Sequence, residues 1–156
     1  MGYNYRMKGF TLVEILIVLA IAVILFTIIL TGFANLRESS DLTLAVDEAI
    51  SFLQEARAKT LSSEGASVYG VHFETSQFVL FAGDTYDLSA SSNKIRALPS
   101  TIEISIIDLE GVGDDALFKR LTGETDNDGT IKFRQTSNPS TLKTIEVLPT
   151  GLSYVQ

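Results

Sequence analysis

Between Phe10 and Phe33 the chain carries a single ionisable side chain, Glu14, in an apolar run without proline. A carboxylate at the centre of a membrane helix costs roughly 2.5–3.5 kcal/mol, and less near an end, so Glu14 calls for a partner. The helix macrodipole returns only about 0.3–1 kcal/mol and does not account for it. A positive group supplied by a second copy of the same helix would serve. An amino terminus released by cutting the chain just before Phe10 is such a group.

The run that holds Glu14 is long enough to cross a bilayer as a helix at about 1.5 Å per residue. Backbone in hydrocarbon must bond internally, so a stretch of Leu, Ile, Val and Ala reads as one uninterrupted helix. A secretory signal would need a shorter apolar core of about 7–15 residues closed by a small-residue cleavage site. This run is longer, and no Ala-x-Ala site closes it. An uncleaved signal anchor stays open as an alternative. Arg6 and Lys8 precede the run, whereas Arg37 is followed by Glu38 and Asp41. That bias puts the N-terminus in the cytoplasm and the remainder outside the cytoplasmic (inner) membrane, in the periplasm or at the cell surface.

Lys8-Gly9 followed by Phe10-Thr11-Leu12-Val13-Glu14 and a long aliphatic helix resembles the class III leader and N-terminal helix of type IV pilins and type II secretion pseudopilins. The resemblance covers about the first quarter of the chain. It implies cleavage between Gly9 and Phe10 by a membrane-embedded prepilin peptidase and N-methylation of Phe10. It implies assembly with other pilin subunits through Phe10 to Phe33, with Thr11, Leu12 and Glu14 at the contact and Glu14 neutralising the amine of a neighbour. Many of these proteins carry a proline near the position of Thr31-Gly32; this chain has none there.

The sequence has 156 residues and a net charge of −7. Removing residues 1–9 takes away Arg6 and Lys8, and −7 becomes −9. A net-acidic domain argues against broad electrostatic binding to nucleic acid or anionic lipid. There is no cysteine, so no disulfide staples the fold, unlike in many major pilins; a pseudopilin or minor subunit is the closer match.

Four segments follow: a leader (1–9), an assembly helix (10–33), an amphipathic continuation (34–64) and a β-rich domain (65–156). In the third, Leu42, Val46, Ile50 and Leu53, with Ala45, Ala49 and Ala56, recur three and four apart, opposite Asp47, Glu48, Gln54, Glu55 and Lys59. Gly65 suits a left-handed cap after Ser62-Ser63-Glu64. Strands are expected over Ser67–Glu74, Gln77–Ala82, Thr101–Ile107, Leu117–Leu121, Thr130–Arg134, Thr144–Leu148 and Leu152–Val155. Glu74-Thr75-Ser76 reads as a hairpin connection and Asn127-Asp128-Gly129 as a solvated turn. Gly83–Lys94 and Gly111–Asp115 read as loops. A long helix packed on a mostly antiparallel sheet is an α+β, pilin-like fold. Glu55-Ala56-Arg57 and the endings around Asp128-Gly129, Thr144–Val147 and Gly151-Leu152-Ser153 resemble the H-type minor pseudopilins and FimT-like minor pilins in layout.

Other chemistry is thin. Asp126–Gly129 and Asp84–Asp87 lack the further oxygen ligands of a calcium loop. His72 has no second histidine or cysteine to share a metal, and Ser89–Ser92 has no partnered base. No catalytic residue, cofactor or metal site is expected, and an enzyme is the least favoured class. Arg96, Lys119, Arg120, Lys132, Arg134 and Lys143 could form a basic face for DNA, or else stand as scattered surface charges. The expected function is a structural subunit of a secretion pseudopilus or pilus; the alternative is a fibre-tip module for a secreted protein or DNA.

Overall fold

The computed structural model describes residues 9–111 and 113–156, with the side chains of 29–35 outside the description. Arg6 and Lys8 therefore lie outside the described residues. Two compact units divide between Arg37 and Glu38. Helix α1 (Leu12–Leu61) contributes to both, and each is described by itself.

In the first unit the helix starts at Leu12, and Phe10 and Thr11 precede it. Every described side chain from Phe10 to Ile28 is exposed. Among the described residues no helix is long and apolar enough to cross a membrane. The described apolar stretch, Leu12 to Ile28, would rise only about 25 Å at 1.5 Å per residue, short of a hydrocarbon core of about 30 Å. The remainder of the expected span falls on 29–33, whose side chains are not described.

In the second unit α1 buries one stripe: Leu42, Ala45, Val46, Ala49, Phe52, Leu53, Ala56 and Thr60. Phe52 and Thr60 extend the stripe that the aliphatic spacing outlines. The Thr60 hydroxyl donates to the Tyr69 carbonyl at 3.3 Å and accepts its N–H at 2.8 Å. That exchange ties the helix end to the first strand. The chain leaves the helix through a 3-10 turn, Glu64–Ala66, where Gly65 is left-handed as expected, at φ 59, but Ser63 and Ala66 are too.

Among the described residues eight strands form two antiparallel sheets. The first has the order β3 (Lys94–Ala97), β2 (Gln77–Ala82), β1 (Tyr69–Glu74), β5 (Asp115–Leu117). The second runs β4 (Ile102–Leu109), β6 (Gly129–Gln135), β7 (Leu142–Val147), β8 (Ser153–Val155). Phe73 and Phe78 of the first sheet, Ile104, Ile131, Phe133 and Ile145 of the second, and the helix stripe share one core. Strand β2 is buried on both faces: Phe78 and Leu80 face the core, while Tyr86 packs edge-on to Phe81 from the other side, 5.6 Å between ring centres.

The hairpin through Thr75-Ser76 forms as expected, with Glu74 paired to Gln77. Three expectations are corrected. Leu117–Leu121 is not a strand: β5 ends at Leu117, because Thr125 Oγ1 donates to the Leu117 carbonyl at 2.7 Å and the chain then closes a loop from Lys119 to Glu124. Lys94–Ala97, read as loop and its flank, is strand β3, recruited by pairing with Gln77–Leu80. Asn127-Asp128-Gly129 is no solvated hairpin turn. Asn127 donates from Nδ2 to the Glu110 carbonyl at 2.9 Å and accepts the Leu117 N–H at 3.3 Å, joining the ends of β4 and β5 as the chain crosses between sheets.

Candidate functional site

The N-terminal site is built by a helix start. Thr11 sits at the N-cap, and its Oγ1 accepts the backbone N–H of Glu14 at 3.2 Å. Thr11 and Glu14 have the spacing of a capping box, in which the third helical residue is acidic. That signature was readable in the sequence and accounts for the helix beginning at Leu12. Among the described residues none donates to the Glu14 carboxylate. Phe10, Glu14, Ile15, Val18 and Leu19 line one shallow groove of about 260 Å³. The carboxylate therefore sits in an otherwise apolar stripe beside Phe10.

Gly9 is exposed and non-helical, and a Cβ placed on it meets nothing within 4 Å. The fold itself thus places no demand for glycine there. The Gly9–Phe10 peptide lies in open, irregular backbone, where a protease can reach it.

Residues 4–30 match the family model for the prokaryotic N-terminal methylation motif. Over that stretch the chain is similar to the type IV pilins and pseudopilins. The match covers the leader junction, Phe10 and Glu14, and it supports a pilin-like subunit of the kind processed by prepilin peptidase. Neither the comparison with curated proteins nor that with solved structures finds a match.

In the β-rich unit of the pilin-like chain the remaining candidates resolve into structural contacts. His72 in β1 meets Asp115 of β5 through Nδ1 at 2.5 Å and Glu74 through Nε2 at 3.5 Å, and stacks on Tyr86 with ring centres 4.0 Å apart. The two carboxylates lie on opposite nitrogens of one ring and so do not converge on a common point. No group of acidic residues and histidine placed to hold a metal occurs among the described residues. The Tyr86 hydroxyl is buried without a partner, and burial, then the carboxylates of Glu74, Asp115 and Asp87, push its phenol above the ordinary range. No local signal announced this cluster, since His72 and Asp115 are 43 positions apart.

Asp87 organises its own turn. Its carboxylate accepts the Ser89 hydroxyl at 2.7 Å and the Ser89 N–H at 2.8 Å, and these bonds hold its carboxyl below the usual carboxylate range. A lowered folded-state value means the turn is supported above the unfolded aspartate's ordinary value, about 3.9, and loses that support as pH falls through the lower folded one. The expected result is an upfield move of the Ser89 amide proton on acidification, with a midpoint below that ordinary value and absent in Asp87→Asn. An unchanged Ser89 amide would show that the bond does not persist in solution.

Most of the cations considered for DNA are engaged. Arg96 pairs with Glu48 at 2.5 Å, Lys119 with Asp126 at 2.5 Å and Arg134 with Glu103 at 2.6 Å, while Lys143 donates to the Thr43 hydroxyl at 3.0 Å. Arg120 donates to the Ala66 carbonyl at 3.3 Å.

Proposed function

We propose that this pilin-like chain is a minor structural subunit of a type II secretion pseudopilus or type IV pilus, of the H-type or FimT-like kind. It is held in the cytoplasmic membrane through Phe10–Phe33, cut after Gly9, methylated on Phe10 and assembled through α1. The single observation that carries the reading is a Glu14 carboxylate, without a partner among the described residues, one turn from an accessible Gly9–Phe10 bond inside the methylation motif. Cleavage turns Phe10 into a cationic terminus, and the Glu14 of a neighbour offers the matching anion in an apolar setting, where a charge pair replaces two costly single charges. The second reading, a fibre-tip module gripping DNA, gains little support, because four of the six candidate cations already pair with carboxylates or a threonine hydroxyl.

Intact mass and N-terminal sequencing of chain isolated from membranes containing prepilin peptidase test the reading. The expected product starts at Phe10 and is heavier by one methyl group. Gly9→Val is expected to stay full length while folding normally, since nothing surrounds that position. A wild-type chain that retains Met1 would overturn the proposal.

A further inference from the structure

Leu121 is the most exposed of the large apolar side chains in the described structure, at 86 %, and its backbone is left-handed at φ 72. Either feature is unfavourable for a leucine in an isolated subunit. Ser63 and Ala66, the other non-glycine residues with positive φ, belong to the turn that ends α1. Leu121 lies in the turn that the Gly123 N–H closes on the Lys119 carbonyl, where a glycine or asparagine would carry the same backbone with less strain.

The loop that carries it is firmly held. Lys119 N–H donates to the Glu124 carbonyl at 2.7 Å and Gly123 N–H to the Lys119 carbonyl at 2.9 Å. From α1, Arg57 Nε donates to the Gly123 carbonyl at 3.0 Å and Nη2 to the Thr150 carbonyl at 3.4 Å. Arg57 therefore clamps this loop, and Gly151, lacking a Cβ, allows the Gly123 carbonyl to approach closely. The result is a preorganised apolar knob, and preorganisation lowers the cost of binding.

Beside the knob lies a cleft of about 350 Å³, walled by Val68, Leu117 and Phe118 and rimmed by Asp84, Arg120 and Asp126. Arg120 pairs with no carboxylate, and Asp84 with no cation, among the described residues. A knob beside a cleft whose rim carries both an unmatched cation and an unmatched anion makes a self-complementary face, which is what a two-fold contact requires. We infer that this end of the domain docks on a second copy of itself. Each Leu121 enters the cleft of the other copy, and each Arg120 meets the other's Asp84. The contact is independent of Phe10 and Glu14 and goes beyond the function proposed above.

The absence of native cysteine makes the test clean. Full-length Leu121→Cys and Val68→Cys chains, mixed in detergent and oxidised, are expected to form a mixed disulfide faster than Leu88→Cys mixed with Val68→Cys. In sedimentation, Leu121→Asn is expected to weaken self-association roughly ten- to hundredfold. It should also raise the melting temperature by a few degrees, because asparagine tolerates the left-handed backbone better. Arg120→Asp should weaken association and Asp84→Lys in the same chain restore it. Cross-linking no faster than in the Leu88→Cys control, association unchanged in Leu121→Asn, or disulfides formed only with other membrane proteins would each overturn the inference. N-terminal processing, followed in the same samples, reports separately on the function proposed above.

Discussion

Glu14→Gln is expected to be cut and methylated like the wild type yet fail to enter a fibre. The substitution keeps the helix start, because the Thr11 cap bonds the backbone N–H of residue 14 and not its side chain. What it removes is the anion for a neighbour's Phe10 amine. Breaking one side of a charge pair in an apolar setting costs about 3–5 kcal/mol, equivalent to a loss of more than a hundredfold in incorporation. Quantifying processed subunit in membranes and in sheared fibres separates the two steps. Normal incorporation of Glu14→Gln would sink the charge-pair argument while leaving the processing site intact. Loss of cleavage would instead place Glu14 in recognition by the peptidase.

Gly151→Ala is expected to be one of the two most damaging added methyl groups in the β-rich unit, with Gly129→Ala the other. A Cβ there would fall 1.9 Å from the Gly123 carbonyl oxygen and 3.0 Å from Arg57 Nε, on backbone at φ 75. The carbonyl is main chain and is held by Arg57, so it cannot swing away as a flexible side chain would. Left-handed strain of about 1–2 kcal/mol and forced backbone displacement of about 1–3 kcal/mol add to a loss of about 2–5 kcal/mol. Against a typical stability of about 5–15 kcal/mol, this removes much of the folded margin. Gly113→Ala is the control, since its φ is 99 but nothing lies within 4 Å of the added carbon. It should cost only the strain, about 1–2 kcal/mol. Urea unfolding of the full chain reads both, and equal midpoints for the two variants would refute the close-approach account.

The helix stripe from Leu42 to Ala56 and the β1–β2 hairpin were legible because their signals are local. A 3.6-residue apolar period marks the helix, while the alternation Val71-His72-Phe73-Glu74 and the short β-branched and aromatic run Phe78–Phe81 either side of Thr75-Ser76 mark the two strands. The edge strand Lys94–Ala97 was missed because its side chains are mostly exposed and charged. Its strand character comes from the partner Gln77–Leu80, and its cations are held by Glu55 and Glu48 of the helix. Leu117–Leu121 had strand-like composition, yet Thr125 and Asn127 hold Leu117 by hydrogen bonds and release the following residues into a loop.

The methylation motif of this chain could be read before any folding was known, because the residues that carry it, Gly9 to Glu14 among them, are consecutive in the sequence. A protease meets that peptide as a sequence. The other contacts described could not be read so. His72 reaches Asp115 across 43 positions, Arg57 reaches Gly123 across 66, and Lys143 reaches Thr43 across 100. Whether a cation is free for a ligand or spent on a neighbouring carboxylate depends on distances of a few ångströms. Such distances exist once two sheets and a helix have closed on one core.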